Sequence, residues 1–169
     1  MTNQKTSSVA VVMGSDSDMT VMSTCVDQLR QFGIDPMVRI VSAHRTPERA
    51  AEFADTAETQ GIKVIIAAAG MAAHLAGALA GRTILPIIGV PLVSGTLGGI
   101  DALLSTVQMP PGIPVAGVAL GDAGAKNAAL FAVQILALSD SALSDKLKQF
   151  RRAQQEHVIQ KDRTLLQSQ

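Results

Sequence analysis

His44 stands between two small residues, Ser42 and Ala43, and a cation, Arg45, where the apolar run Val38-Arg39-Ile40-Val41 gives way to a helix-like segment beginning near Thr46. An imidazole exchanges protons near neutral pH, and a guanidinium forks onto phosphate or carboxylate. A strand-to-helix turn is where open α/β sheets collect ligands. The types and the place together suggest proton transfer on an anionic small molecule. A structural histidine at a strand end would look the same on spacing alone.

Two further stretches invite the same reading. Gly14-Ser15-Asp16-Ser17-Asp18 follows the apolar run Val9 to Met13, and backbone N–H groups at a helix start bind phosphate when the loop is open to it. Its two acidic residues, Asp16 and Asp18, disfavour a polyphosphate and favour a hydroxyl-bearing ligand with one phosphate, such as a ribose 5-phosphate. A plainly capped strand-to-helix turn would also use these residues. Gly70 follows the run Val64 to Ala69, with His74 at the start of an Ala-rich helix, where it could equally serve as a cap. The third histidine, His157, lies in a charged tail and reads as solvated.

Other chemistries find less support. No pair of the 3 histidines has metal-ligand spacing, so no zinc site is expected. There is no Walker lysine motif, and Gly95-Thr96-Leu97-Gly98-Gly99 lacks the spacing of a dinucleotide fingerprint. The single cysteine, Cys25, falls on an apolar helical face and reads as a buried, inert thiol. It permits no intramolecular disulfide, which fits a reducing compartment. Net charge is zero, so nothing advertises a nucleic-acid surface. No apolar stretch is long enough for a membrane span, and Met1 to Ser8 are polar, without the apolar core of a secretory signal. A cytoplasmic protein is expected.

The elements that must position these residues follow from hydrophobic patterning. Continuous apolar runs at 9–13, 37–41, 64–69, 84–90 and 115–120 suit strands buried on both faces, as in a parallel sheet. Helical spacing falls between them: to about Phe32, from Pro47 to about Gln60, from Ala73 to Ala80, from Gly95 to about Val107 and from about Gly124 to Leu138. Pro47 is well placed at a helix start, with Thr46 as its cap. Strands alternating with helices imply right-handed crossovers and a three-layer α/β/α sandwich. The flavodoxin-like order 2-1-3-4-5 puts the ends of strands one, two and three side by side on one rim. With aromatics at 2% and no Trp or Tyr, the core must be aliphatic. The 169 residues suit one domain. Residues 1–8 are expected to be a flexible start and 9–138 the α/β core. A last helix over 139–160 carries a stripe at Leu143, Leu147 and Phe150 suited to a neighbouring subunit, and 161–169 reads as frayed.

At this point a resemblance enters. The blocks Met13-Gly14-Ser15-Asp16-Ser17-Asp18, Ser42-Ala43-His44-Arg45-Thr46-Pro47, Gly70-Met71-Ala72-Ala73-His74-Leu75, Gly89-Val90-Pro91, Gln108-Met109-Pro110 and Ala125-Lys126-Asn127-Ala128-Ala129 occur in this order. From Val9 to about Arg152 the chain resembles the PurE family of N5-carboxyaminoimidazole ribonucleotide mutases, the bacterial class I branch of the aminoimidazole ribonucleotide (AIR) carboxylases. The first two blocks are shared with the animal carboxylases; His-Arg-Thr-Pro and Ala-Ala-His-Leu look like the bacterial branch. Ala76 departs from that branch, which usually has Pro there.

The resemblance implies an isomerase-class enzyme of purine biosynthesis. It would move CO2 from N5 of the substrate to C4 of its ring, with no metal, organic cofactor or ATP. By position it gives phosphate contacts to Ser15 and Arg45, a ribose hydroxyl to Asp18 and acid–base work to His44. Ser42, Ala43 and the loop of Gly70, Ala72, Ala73, His74 and Leu75 would surround the imidazole and the migrating carboxylate. It further implies a homo-octamer in which the last helix reaches a neighbour. Direct CO2-dependent carboxylation of the unsubstituted ribonucleotide, or a non-enzymatic phosphoribosyl-binding module, are the alternatives.

Overall fold

A computed structural model describes residues 7–168; the expectation for 1–6 and for the last residue lies outside them. Five parallel strands form one sheet in the order β2-β1-β3-β4-β5, the order expected. They are β1 (Val9–Met13), β2 (Met37–Ile40), β3 (Val64–Gly70), β4 (Ile87–Leu92) and β5 (Ala116–Gly117). The helices are α1 (Met19–Gln31), α2 (Pro47–Thr56), α3 (Leu75–Ala80), α4 (Ile100–Val107), α5 (Gly121–Ala137) and α6 (Ser141–Gln167). The chain steps one way from β1 to β2 and the other way from β3 through β5. Right-handed crossovers therefore put α1 on the face opposite the helices that follow β3 and β4.

The inner strands are apolar because neither face meets water, whereas β2 at the edge is half-buried to exposed. All of β1 and β4, and β3 from Val64 to Ala68, are buried. Against β1, α1 buries Met22, Cys25, Val26 and Leu29 along one stripe, each large side chain worth roughly 1.5–3 kcal/mol of transfer free energy. Burial pushes the Cys25 thiol up to about 12, so it holds its proton and is inert toward electrophiles. Another cluster joins Val41, Phe53, Ala54, Ile62, Leu75, Ala76 and Leu79 to the inner strands. Ala76, the departure from the family's proline, is thus a buried residue in the first turn of α3.

Several boundaries differ from the sequence reading. Helix α2 ends at Thr56, and residues 57–60, expected to continue it, form turns closed by Gly61 at φ 85°. The expected helix from Gly95 begins only at Ile100, because Gly95, Gly98 and Gly99 take positive φ. β4 starts after Pro86, at Ile87, and runs through Pro91 to Leu92, two residues past the expected end. β5 keeps two paired residues, Ala116 and Gly117, in place of the six expected. Gly117 lets Val107 of α4 approach where a Cβ would lie 2.7 Å from its Cγ1.

The chain divides into two compact units, one ending at Ala132 and one beginning at Val133. The first contains the whole sheet. The second contains the end of α5 and α6, which continues as helix to Gln167 through the stretch expected to fray. Asp140 caps α6 by accepting the Leu143 N–H at 3.1 Å. Among the described residues no helix is long and apolar enough to cross a membrane.

Candidate active site

At the carboxyl ends of β1, β2 and β3 the chain leaves a cavity of about 460 Å³. It is lined by Ser15 and Asp18 from the first loop, Ser42, Ala43, His44 and Arg45 from the second, and Gly70, Ala72, His74 and Leu75 from the third. Sheet order alone makes these loops neighbours, since β1 lies between β2 and β3.

The first loop is a single 3-10 turn over Asp16–Asp18, closed by a capping box. The Ser17 N–H approaches Ser15 Oγ at 3.4 Å, and the Ser15 N–H donates to Asp18 Oδ2 at 3.0 Å. Asp18 is therefore already engaged in holding its own loop. Desolvation raises its pKa above the ordinary value, against the lowering effect of N–H donors from Ser15 and Gly14 and of the nearby Arg45 charge. A carboxylate fixed at the pocket edge in this way can still accept a hydroxyl on its other lone pairs.

The second loop is knotted around Ser42 and Thr46. The Ser42 N–H donates to Thr46 Oγ1 at 3.1 Å, and that hydroxyl donates back to the Ser42 carbonyl at 3.0 Å. Thr46 thus holds the N-cap position of α2 without a side-chain bond to the helix, contrary to the capping role expected. Pro47 supplies the first turn, as expected. The knot presents Arg45, whose backbone N–H donates to Ser42 Oγ at 3.2 Å. Arg45 Nη2 donates to the Gly14 carbonyl at 2.6 Å, tying the second loop to the first. A guanidinium carries five donors, so this tie leaves others for an anion.

The third loop brings the two histidines together. His44 Nε2 lies 2.9 Å from His74 Nδ1, the rings edge to face with centroids 5.0 Å apart at 87°. One nitrogen must donate and the other accept, so the tautomer of one ring dictates that of the other. Both are exposed to the cavity. His74 also occupies the N-cap position of α3 but makes no side-chain cap bond, which leaves its ring for His44. Met71 holds φ at 56°, a left-handed conformation unfavourable for a residue with a Cβ.

Among the residues expected here, Ala73 is placed differently. It is buried, lies outside the cavity lining, and donates its N–H to Ser105 Oγ at 3.0 Å. Its N–H therefore cannot also face a carboxylate in the pocket. Ser17, Ala69, Met71 and Ser94 line the cavity without having been singled out. Ser94 was legible in principle, because it follows β4, which pairs with β3, and strand ends collect ligands. It also explains Gly70: a Cβ there would lie 2.0 Å from Ser94 Oγ. Among the described residues no three His, Cys, Asp or Glu side chains converge as a metal site would require.

Comparison with known proteins identifies the chain's relatives. Residues 8–157 match the family model described as AIR carboxylase. The chain is 54% identical over 143 residues to the N5-carboxyaminoimidazole ribonucleotide mutase of Pyrococcus abyssi, covering 85% of this chain and 81% of that one. With the mutase of Escherichia coli it shares 49% identity over 152 residues, 90% of each chain. The crystal structure of Treponema denticola PurE superposes with a TM-score of 0.85 at 33% identity, covering 93% of this chain and 97% of that one.

Proposed function

Because the chain belongs to the AIR carboxylase family, we propose that it performs the reaction its relatives are named for, the mutase conversion of N5-carboxyaminoimidazole ribonucleotide to the C4-carboxylated isomer. The observation that carries the assignment of roles is the His44–His74 contact at 2.9 Å beside Arg45. It supports an imidazole proton carrier within reach of an anchored anion.

The chemistry asks for few groups. The N5–carboxylate bond breaks, its electron pair stays on N5, and CO2 is released into the pocket. N5 takes a proton from the His44 imidazolium. C4 then attacks the trapped CO2, becomes tetrahedral, and returns its proton to the neutral imidazole. No proton is gained or lost over the cycle, so one ring can serve both transfers. Arg45 and Ser15 hold the phosphate and Asp18 a ribose hydroxyl, a remote grip that fixes the ring for reaction. Ser42, Ala43, Gly70, Ala72, His74 and Leu75 surround the imidazole and the freed CO2, with Ala73 behind them. None of these supplies a strong nucleophile that would capture CO2.

The reading extends to assembly and place. We take the protein to be a cytoplasmic homo-octamer in which α6 contributes to contacts between copies. The test of the chemistry is His44→Asn, assayed by interconversion of the two carboxylated ribonucleotides. The expected loss in kcat is roughly a hundred- to ten-thousand-fold; a near-normal rate removes His44 from the acid–base role. Labelled bicarbonate in the same assay tests the mutase route, since a mutase transfers carboxylate with little exchange whereas direct carboxylation incorporates the label.

A further inference from the structure

Ser105 sits on α4, outside the cavity lining, yet its hydroxyl reaches the loop that carries His74. Ser105 Oγ accepts the Ala73 N–H at 3.0 Å and lies 3.4 Å from the Met71 carbonyl, while its proton goes to the Asp101 carbonyl one helical turn back. The loop needs such an anchor. Met71 is left-handed, and Gly70 is pressed against Ser94. Ala73 is 2% exposed, so without Ser105 its N–H would be stranded away from water, an unfavourable state for a backbone donor. The His74 N–H closes the turn onto the Ala72 carbonyl at 2.8 Å, so backbone placement at 73 passes directly to 74.

We propose that Ser105 is a positioning residue for proton transfer, acting through His74. By fixing the Ala73 N–H it aims the His74 ring so that Nδ1 meets His44 Nε2. That contact in turn selects the tautomer and ring orientation of His44. The anchor is borne on a helix and bonded to its carbonyls, so it does not move with the loop. The inference rests on His44 being the proton carrier.

The test combines kinetics with imidazole nitrogen NMR on histidine-labelled protein. The chain has only 3 histidines, and His157, exposed on α6, is an internal reference. Ser105→Ala is expected to lower kcat about ten- to a hundred-fold, the scale of a small misplacement of a catalytic group, with KM changed far less. The signals of His44 and His74 should lose the signature of their shared hydrogen bond while His157 is unchanged. Ser105→Thr, which keeps the hydroxyl, should restore both. Wild-type kinetics and unaltered imidazole signals in Ser105→Ala overturn the proposal. So does a loss of folding stability with the imidazole contact intact, which would make Ser105 merely structural. His44→Asn, run in parallel, separates the two failures. An active His44→Asn enzyme sinks the reading of His44 and this inference with it, whereas an inactive one beside a normal Ser105→Ala sinks only the role of Ser105.

Discussion

In β1 all 5 residues are buried and in β4 all 6, whereas α6 runs through 27 residues without burying one. These two strands are apolar without interruption. In α6, by contrast, Leu143, Leu147 and Phe150 are half-buried, and Val158, Ile159, Leu165 and Leu166 are exposed among charges and glutamines. The sheet's residue types are explained by what they touch in this chain, and a substitution there meets an atom at once. The exposed apolar residues toward the end of the helix, Val158, Ile159, Leu165 and Leu166, are not covered in this way. The difference separates two kinds of constraint: close packing at the centre, which folding alone enforces, and a solvent-facing helix on which single substitutions meet little.

The sharpest way to break the contrast is to add one heavy atom on each side of it. At Gly89 in β4 a Cβ would lie 2.4 Å from Thr106 Cγ2, 3.0 Å from Val115 Cγ1 and 3.3 Å from Ala76 Cβ. Gly89→Ala therefore forces three elements apart and is expected to destabilise the fold by about 1–3 kcal/mol. Ala153→Ser, on an exposed face of α6, should stay within about 0.5 kcal/mol. Urea unfolding of the two variants decides it. Equal costs would mean that the centre has slack or that α6 is packed more tightly than its exposure indicates.

Removing α6 asks what the surface is for. A chain ending near Ser139 should keep the sheet's cooperative unfolding, because every strand lies before Ala132, and should show a smaller assembly mass by light scattering. An unchanged mass counts against tail-mediated assembly and returns the stripe at Leu143, Leu147 and Phe150 to a role within one chain.

The same division governs what was legible from sequence. Strand runs and their order were readable because burial on both faces leaves an uninterrupted apolar signature in the inner strands, and the order placed the loops of His44 and His74 on one rim, though not their contact. Contacts between groups that already have local partners were not. Asp18 reads as a free ligand for a hydroxyl, but it closes its own turn onto the Ser15 N–H. Thr46 reads as a cap, but its hydroxyl goes back to Ser42. Ala73 sits in the middle of the site motif and turns its N–H away, to a serine 32 residues later. Ser105 itself gives no signal, because a serine in a helix interior usually bonds its own helix, as this one also does.

The smallest expected effect is electrostatic, and here the two regions have opposite signs. Asp18 at the rim is raised above 3.8, by desolvation first, whereas Asp145 on α6 is lowered by its hydrogen bond with Lys148 at 2.9 Å. A carboxyl that binds its proton more tightly folded than unfolded loses stability as pH rises from 3.8 through its folded pKa. One that binds it less tightly contributes stability above 3.8 that is lost as pH falls through its folded pKa. Asp18→Asn keeps an acceptor for the Ser15 N–H but removes the titration. Its stability relative to the parent should therefore improve as pH is raised from about 3 to about 6. Asp145→Asn should worsen over the same interval, and by less, because an exposed pair is screened by solvent. Urea midpoints taken across that range distinguish the slopes. If both variants drift in the same direction, the rim carboxylate is not governed by burial, and the contrast between a desolvated site and a solvated helix fails at the one residue where both packing and charge act.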